Sequence, residues 1–498
     1  MIDVLQIKKY KENNRIEAKK ALGGLPKSIW ETYSAFANTL GGVILLGVEE
    51  YKDKSLHPVN LPDPEGIVEE FWRIVNHTDK VSVNILSAAH VRIETVEGNR
   101  IIVITVPRAE RYNRPVYIDK DPFSGAYRRN GEGDYRCTPE EIEAMLRDAV
   151  TEEQDARILE AMLPEAFDGE TVDRYRDLLE RERPDHPWEA LMDLEFLHEL
   201  GALGRGTDGR LHPTVAGLLM FGRVEEITKE FPAYVLDYEE YMGEAGHLTE
   251  RRVSLSGDWS GNVFDFYLYV QQRLARELCS GNGEFYGAAG EETRRAVAVA
   301  VALEETLQNC LVNADYCGAG GVVIVKSRER ISVSNPGGFR IDLTDAKNGG
   351  ISDPRNGVLA RMFRTVNVGE GSGNGIAKMF RTKNGKRVLI PKITESFAPE
   401  RITVTFDFPE SRRRRVHKKA GDRVKAVKVS GRSLVVKQMT KERIIEYLTY
   451  HISAVGPELA GALTVKPHHI RQCLKELTAE GLVMVEESEA GKQYKLKA

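Results

Sequence analysis

The sequence has few of the features that mark secreted and membrane proteins. Its 498 residues include only five cysteines, too few and too scattered for a disulfide framework, which favours a reducing cytoplasmic compartment. The first residues lack the apolar core of a signal peptide. The longest apolar run, about residues 296–303, is far shorter than the ~20 residues of a membrane-spanning helix. We therefore expect a cytoplasmic protein without a membrane partner.

No charge of one sign dominates the whole chain. Its 70 basic and 75 acidic residues give a formal net charge of −5, which excludes a uniformly basic nucleic-acid coat but not a local basic patch. Residues 411–443 form such a patch, with thirteen basic and two acidic residues that include Arg412, Arg413, Arg414 and Arg415. This run either contacts nucleic-acid phosphates or is a solvated linker.

The length and the hydrophobic pattern predict a multidomain α+β protein. A chain of this length exceeds what one hydrophobic core holds and corresponds to three or four domains. The apolar residues between Trp188 and Leu200 have the spacing of a packing helix. The predicted parts are a strand-and-helix domain at 1–148, a helical connector at 149–229, an α/β sandwich at 230–410, a basic linker at 411–440 and a small helical domain with a strand pair at 441–498.

Several common catalytic motifs are missing from the sequence. It contains no P-loop, no cysteine and histidine cluster with zinc spacing and no Gly-x-Ser-x-Gly elbow. The glycine-dense run from Gly369 to Gly375 follows no clear strand and lacks the third glycine at dinucleotide spacing, which argues against a Rossmann site.

The strongest local signal is a row of polar residues on one predicted helix. Glu305, Asn309 and Asn313 are spaced by four, so they share one helix face. Leu303, Leu307 and Leu311 lie on the opposite side. A carboxylate and amides in a row can hold a hydrated magnesium ion and polarise a water; alternatively, the row is a solvated polar stripe.

Two glycine clusters follow this helix. Asn335-Pro336-Gly337 ends a predicted strand, and Gly371, Gly373 and Gly375 precede a predicted helix. Glycines at a helix start let backbone amides approach a phosphate, which the helix dipole favours. With Asp315-Tyr316 and Pro354-Arg355-Asn356, the helix and the clusters resemble the GHKL nucleotide-binding fold over residues 290–380, nearest to the subgroup named after the C-terminal part of RecG helicase.

This resemblance implies an ATP site with magnesium. It places Asn309 near the metal, Glu305 where it activates water and Asn335 near the adenine. The remaining cofactor-binding residues that it implies are Asn313, Asp315, Gly337, Gly371, Gly373 and Gly375. The chain departs from the family pattern at Asn313-Ala314, where His-Arg is usual, and at Asn335, where many members have Asp. The resemblance therefore supports nucleotide binding more strongly than hydrolysis.

The first 148 residues resemble the Schlafen AlbA-type domain. The matching residues are Glu12, Glu17-Ala18-Lys19, the segment from Ala35 to Gly42, the segment from Leu46 to Glu50, Arg114 to Tyr117 and Tyr127 to Gly131. The resemblance implies nucleic-acid binding, and some members are RNases that use clustered carboxylates. Glu12, Glu17 and Glu49 or Glu50 occupy the corresponding positions.

These carboxylates leave two interpretations open. Clustered acids bind magnesium or manganese, which activates water for phosphodiester cleavage, and Lys19 could neutralise the scissile phosphate. Alternatively, Glu17 and Lys19 form a structural ion pair and Glu49-Glu50 lie at a strand edge. The acid after the Gly-Val strand is Glu here, whereas an RNase is expected to have Asp.

The last 58 residues resemble a winged helix-turn-helix. A recognition helix from Pro467 to Leu477 would direct Arg471 and Gln472 towards the major groove. This fold also mediates protein contacts, so DNA binding depends partly on the adjacent basic run.

Together these features predict a prokaryotic, ATP-responsive regulator that binds DNA or RNA. A metal-dependent nuclease acting in defence or stress is the alternative, and an assembly scaffold is a third hypothesis. We also expect a homo-oligomer.

Overall fold

The computed structural model divides the chain into two compact units. Unit 1 consists of residues 1–109, 113–142 and 417–498, and unit 2 of residues 110–112 and 143–416. The structure describes residues 4–242, 247–279, 291–341, 343, 352–368, 391–408, 441, 444–445, 447–449, 451, 453–463, 467–479, 481–488 and 491–497. None of the helices in these ranges is both long enough and apolar enough to cross a bilayer.

The N-terminal part of unit 1 is built on a four-stranded sheet of order β1-β2-β6-β5. Strand β1 pairs with β2 in parallel, and the other neighbours are antiparallel. The strands are β1 (Ile16–Lys19), β2 (Gly42–Leu46), β3 (Val48–Glu50), β4 (Leu56–Pro58), β5 (Val91–Val96), β6 (Asn99–Val106), β7 (Tyr127–Asn130) and β8 (Gly133–Arg136). The helices are α1 (Ile29–Asn38), α2 (Pro64–Val75) and α3 (Pro122–Gly125).

Helix α1 and the glycines after it fix this sheet to its surroundings. Asn38 is buried, its side-chain nitrogen donates to the backbone oxygens of Val116 (2.8 Å) and Tyr127 (3.0 Å), and its side-chain oxygen accepts from the Val116 amide at 2.7 Å. A Cβ at Gly42 would lie 2.7 Å from the ring of Phe36. The segment Ala35 to Gly42 therefore has a structural role, because it joins three stretches of chain through one buried amide.

Helix α4 (Pro139–Ala149) follows, and side chains cap its start. The amide of Thr138 donates to Glu141 at 2.8 Å, and the amide of Glu141 donates to the Thr138 hydroxyl at 3.3 Å. This reciprocal pair is a capping box.

In the described residues, the C-terminal part of unit 1 includes helices α12 and α13, further helical residues at 444–445 and 447–449, and a three-stranded sheet of order β17-β19-β18. Its elements are β17 (Ala454–Val455), α12 (Gly456–Ala462), α13 (Pro467–Ala479), β18 (Val483–Ser488) and β19 (Gly491–Leu496). It contacts the start of the chain, where the rings of Tyr10 and His451 are 4.4 Å apart and Lys9 pairs with Glu458 at 2.5 Å.

Unit 2 is built on a six-stranded mixed sheet of order β12-β11-β13-β14-β16-β15. Strand β11 is parallel to β13, and the other neighbours are antiparallel. The strands of unit 2 are β9 (Leu203–Arg205), β10 (Leu211–Pro213), β11 (Leu236–Tyr241), β12 (Glu250–Val253), β13 (Val322–Ser327), β14 (Arg330–Pro336), β15 (Lys392–Phe397) and β16 (Glu400–Asp407). Its helices are α5 (Gly169–Glu182), α6 (Asp193–Glu199), α7 (Val215–Phe221), α8 (Val224–Glu230), α9 (Val263–Cys279), α10 (Glu291–Asn313) and α11 (Gly357–Thr365).

One hydrophobic core runs through unit 2, from Leu159 to Phe406. The predicted connector therefore packs into the same core as the predicted nucleotide-binding region. The single packing helix predicted between Trp188 and Leu200 is wrong, because a 3-10 turn ends at Ala190 and α6 begins only at Asp193. The prediction of a multidomain protein that mixes helices and sheets is confirmed.

Candidate functional site

A cavity of about 370 Å³ lies in unit 2 between helix α10, the sheet and helix α11. Its polar lining includes Glu305, Asn309, Asn313 and Asn335. Its apolar lining on the sheet side consists of Val333, Ile393, Ile402 and Val404. The volume is in the range of small-molecule sites, and a mainly apolar wall with a few convergent polar groups is typical of them.

The predicted polar row of α10 faces this cavity. Asn309 donates through its side-chain nitrogen to Glu305 Oε1 at 3.2 Å, and Asn313 donates to the backbone oxygen of Asn309 at 2.9 Å. The opposite face is buried, with Leu303, Leu307 and Leu311 fully covered. The row therefore lines a cavity, which distinguishes it from a stripe on an open surface.

Asn335 reaches the cavity from the end of strand β14. It is buried, and its side-chain nitrogen donates to the backbone oxygen of Pro336 at 3.0 Å. Four of the residues that the resemblance implied for a nucleotide site, on two separate elements, thus share one cavity.

Asp315 and Gly337 are placed differently from these four residues. Asp315 pairs with Arg147 at 2.9 Å and lines a second, smaller cavity of about 270 Å³. Gly337 has a φ of +90°, and a Cβ there would collide with the guanidinium of Arg355. Glycine is required at this position because the backbone is left-handed and because the arginine leaves no room for a side chain. The predicted Gly371, Gly373 and Gly375 lie outside the described residues.

The Pro354-Arg355-Asn356 segment anchors the end of α10. Arg355 donates to the backbone oxygen of Asn313 and to the carboxylate of Asp148, with Nη2 to Oδ2 at 2.5 Å. Burial disfavours the charged guanidinium, but the Asp148 carboxylate outweighs it and raises the pKa of Arg355. Asn356 donates to the backbone oxygens of Val312 and Ala314, so it satisfies carbonyls that a helix end leaves unpaired.

Three arginines in the cavity lining were missed by the sequence reasoning. Arg340 pairs with Asp353 at 3.3 Å and Arg361 pairs with Glu153 at 2.5 Å, while Arg364 follows one turn later on α11. The spacing of Arg361 and Arg364 by three, just after Pro-Arg-Asn, was the available signal.

The chemistry of the cavity fits a nucleotide. An apolar wall suits a base, amides suit polar atoms of a base or ribose, and guanidinium groups suit phosphates. In the described part of the chain, no group of three or more His, Cys, Asp or Glu could hold a metal ion. Magnesium would therefore rely on single donors such as Asn309 and Glu305, with waters and phosphates completing its ligands.

The acidic residues of unit 1 are closely matched by cations. Glu17 pairs with Lys19 at 2.8 Å and with Arg129 at 2.9 Å. Arg129 has a side chain only 1% exposed and also pairs with Asp134 at 2.8 Å. The ion pair between Glu17 and Lys19, one of the two interpretations left open, is thus present.

Glu12 differs from its acidic neighbours. Burial, with the nearby charges of Glu17 and Glu50, raises its pKa to about 7, although it accepts a hydrogen bond from the Ala18 amide at 2.9 Å. Glu49 pairs with Lys20 at 2.5 Å and Glu50 with Lys54 at 3.2 Å. Glu12, Glu17 and Glu50 thus interact electrostatically, but within the described ranges they do not form a metal-binding group.

The predicted nucleic-acid contacts of the C-terminal region are partly visible. Arg471 and Gln472 are exposed on α13. Arg412, Arg413, Arg414 and Arg415 lie outside the described residues.

Three family models match parts of the chain, and the similar solved structures include one from Corynebacterium diphtheriae and one from Nitrosomonas europaea. Residues 143–237 match a domain of unknown function, DUF8451. The DIP2311 protein from Corynebacterium diphtheriae is 16% identical over 97% of this chain and 92% of its own, with a TM-score of 0.38. The N-terminal domain of a RecG-related protein from Nitrosomonas europaea is 33% identical over 26% of this chain and 85% of its own, with a TM-score of 0.21. No curated protein matches the chain.

The other two family matches fall on regions for which a family resemblance was predicted. The later of these two matches begins after helix α10, which carries Glu305 and Asn309. Two of the three predicted resemblances are confirmed: residues 12–138 match the Schlafen AlbA_2 family, and residues 320–406 match the family described as "Putative ATP-dependent DNA helicase recG C-terminal".

Proposed function

We propose that the protein is an ATP-binding regulator whose nucleotide occupancy changes how it engages DNA or RNA. The observation that carries the proposal is the cavity in unit 2, which gathers Glu305, Asn309 and Asn335 together with three arginines in its lining. The Schlafen AlbA_2 match supports the nucleic-acid side of the proposal.

A chain of ion pairs gives the nucleotide a route to act on the rest of the protein. The segment 352–354 lines the cavity, and Asp353 within it accepts from Arg111 at 2.6 Å. The neighbouring Arg355 is held by Asp148. Arg111 belongs to the AlbA_2-matched stretch and Asp148 follows it closely in sequence, so a ligand-induced shift of segment 352–354 would alter ion pairs made by residues within or next to that stretch.

The direct test measures nucleic-acid affinity with and without nucleotide. Fluorescence anisotropy of labelled single-stranded and duplex DNA and RNA is titrated with the full chain, in magnesium alone and in magnesium with ATP. We expect binding to at least one of these substrates, with an affinity that changes severalfold on adding ATP. Affinities that do not respond to ATP contradict the regulatory role.

Asp148→Asn tests the route rather than the site. Asp148 lines the second cavity, not the first, and the substitution removes the charge that holds Arg355. We expect ATP binding to persist while the effect of ATP on nucleic-acid affinity shrinks. Asp173→Asn, on the exposed face of α5, is the matched control and should leave both unchanged.

The proposal also assigns a winged helix-turn-helix to residues 441–498, with α13 as its recognition helix. The order of α12, α13 and the β18–β19 hairpin supports this assignment, as do the exposed Arg471 and Gln472. Deleting residues 411–498 should weaken duplex binding and flatten its salt dependence, because released counterions scale with phosphate contacts. If the affinity for duplex and its salt dependence are unchanged, the basic run is a solvated linker.

A metal-dependent nuclease is the second candidate function, and Glu12 is the observation that favours it. A carboxyl with a pKa of about 7 beside Glu17 and Glu50 is suited to gain a divalent cation or to transfer a proton. Labelled tRNA and single-stranded DNA are incubated with magnesium or manganese. The nuclease predicts cleavage that Glu17→Gln abolishes; no cleavage by the parent, or equal cleavage by the variant, rejects it.

A further inference from the structure

We infer that Arg364, assisted by Arg361, binds the phosphate tail of the nucleotide and makes the cavity selective for nucleoside polyphosphates over nucleosides. The inference rests on the proposed nucleotide-binding function and adds the residues and the ligand class. Both arginines lie on helix α11, and both line the cavity.

Among the described residues, the ion pairs of the cavity lining leave one arginine, Arg364, without a carboxylate partner. Arg340 is occupied by Asp353, and Arg361 is occupied by Glu153. Arg364 is half-buried, and across the described ranges it has no carboxylate partner. A half-buried guanidinium that lines a cavity without a counter-charge favours an anionic ligand, because burial weakens its hydration.

The N-terminus of α11 does not offer an alternative anion site. Asp155, which is 1% exposed, accepts the Leu359 amide through Oδ2 at 2.8 Å. This internal carboxylate already uses the positive end of the helix dipole. The groups of α11 that remain available to a ligand phosphate are therefore side chains further along the helix, where Arg361 and Arg364 lie.

The rest of the lining orients the ligand. Val333, Ile393, Ile402 and Val404 form an apolar wall on the sheet, whereas the arginines lie on α11. A molecule with a flat apolar end and an anionic end matches this division. Guanidinium groups bind phosphate through paired donors, and such charge-assisted bonds are about twice as strong as neutral ones.

Glu153 provides a second test, because its carboxylate would compete with a ligand phosphate for Arg361. Glu153 is about half exposed and also lines the cavity. Glu153→Gln removes a negative charge from the cavity and releases Arg361. A phosphate site predicts that this loss of an ion pair strengthens binding of the anionic ligand.

The experiment is a calorimetric titration of magnesium-ATP and of adenosine into the full chain and its variants. Arg364→Gln should weaken magnesium-ATP binding about tenfold and leave adenosine binding unchanged. Glu153→Gln should tighten magnesium-ATP binding severalfold, again without an effect on adenosine. Arg181→Gln is the matched control, since Arg181 is 72% exposed on α5 and outside the cavity lining.

Two outcomes overturn the inference while leaving nucleotide binding intact. One is an Arg364→Gln protein that binds magnesium-ATP as tightly as the parent. The other is an equal loss for ATP and adenosine, which would show that Arg364 only shapes the cavity. A parent protein that binds neither ligand instead rejects the proposed nucleotide function and this inference with it.

Discussion

The carboxylates of unit 1 and the polar row of unit 2 use similar side chains in opposite ways. Glu17 is enclosed by Lys19 and Arg129, so its charge is neutralised inside the fold. Glu305 and Asn309 instead face a cavity of about 370 Å³. The comparison shows that acidic residues matched by buried cations mainly hold structure, whereas polar residues on a cavity wall remain open to a ligand.

Glu12 is the exception in the first region, because burial and its acidic neighbours make its charged form unfavourable. It is therefore the position where the structural and the catalytic interpretations of unit 1 differ most.

The largest effect is expected for Arg129→Met. Arg129 is 1% exposed and serves Glu17, Asp134 and the backbone oxygen of Asn13. Removing it takes the cation from Asp134 and leaves Glu17 with Lys19 alone, and breaking a buried pair costs about 3–5 kcal/mol. Guanidinium-induced unfolding measures the loss, and amide exchange of β1 localises it to unit 1. Arg136→Met, at an exposed arginine, is the control. A loss of unfolding free energy below about 1 kcal/mol for Arg129→Met would contradict the structural role of the Arg129 ion pairs.

On the cavity side, Asn309→Ala should weaken magnesium-ATP binding by about tenfold or more, because a charge-assisted contact is lost. The helix should survive, since alanine is a good helix former. Isothermal titration calorimetry gives the affinity, and circular dichroism and thermal unfolding verify the fold. Unchanged ATP affinity in a folded variant would separate the polar row from nucleotide binding.

Glu12→Gln tests the raised pKa of Glu12 through the pH dependence of the free energy of unfolding. The pKa of Glu12 is raised from 4.5 to about 7 in the folded state, so the folded protein holds the proton more tightly than the unfolded chain. The resulting stability is present below pH 4.5 and is lost as the pH rises through about 7. We expect the variant to lose about 2 kcal/mol less than the parent between pH 5 and pH 8, as measured by denaturant unfolding. Parallel pH profiles for the two proteins would place Glu12 in a solvated environment.

The smallest effect is expected for Lys54→Gln, at the exposed edge of the same acidic cluster. Lys54 is 50% exposed and pairs with Glu50 and Glu132. Exposed pairs contribute less than about 1 kcal/mol, so denaturant unfolding should shift only slightly, and the shift should vanish at high salt. If Lys54→Gln lowered the free energy of unfolding as much as Arg129→Met, the exposed pairs at the edge of the cluster would contribute as much to stability as the buried pairs at its centre.

Local periodicity predicted the polar face of α10, although it failed for the helix expected between Trp188 and Leu200. The spacing by four of Glu305, Asn309 and Asn313 placed them on one face, and the structure gives that face a cavity. Thr138 and Glu141, three residues apart, form the capping box at the start of α4. These features depend on residues within one or two helical turns, where the sequence carries the geometry.

The partners that decide the chemistry could not be predicted in the same way. Arg355 meets Asp148 across 207 positions of sequence, and Gly337 is required because that arginine passes over it. Arg364 is a candidate phosphate ligand only because Glu153 and Asp353 pair with the other two arginines of the cavity lining. Such contacts come from tertiary packing, which hydrophobic spacing alone does not encode.

The central claim is that the cavity between α10, the sheet and α11 binds a nucleoside polyphosphate. Calorimetric titration of magnesium-ATP into the full chain tests it most directly. The account predicts saturable binding with one nucleotide per chain and weaker binding of adenosine, because the arginines of α11 contact only the phosphates. The absence of saturable binding, or equal affinity for ATP and adenosine, would contradict it.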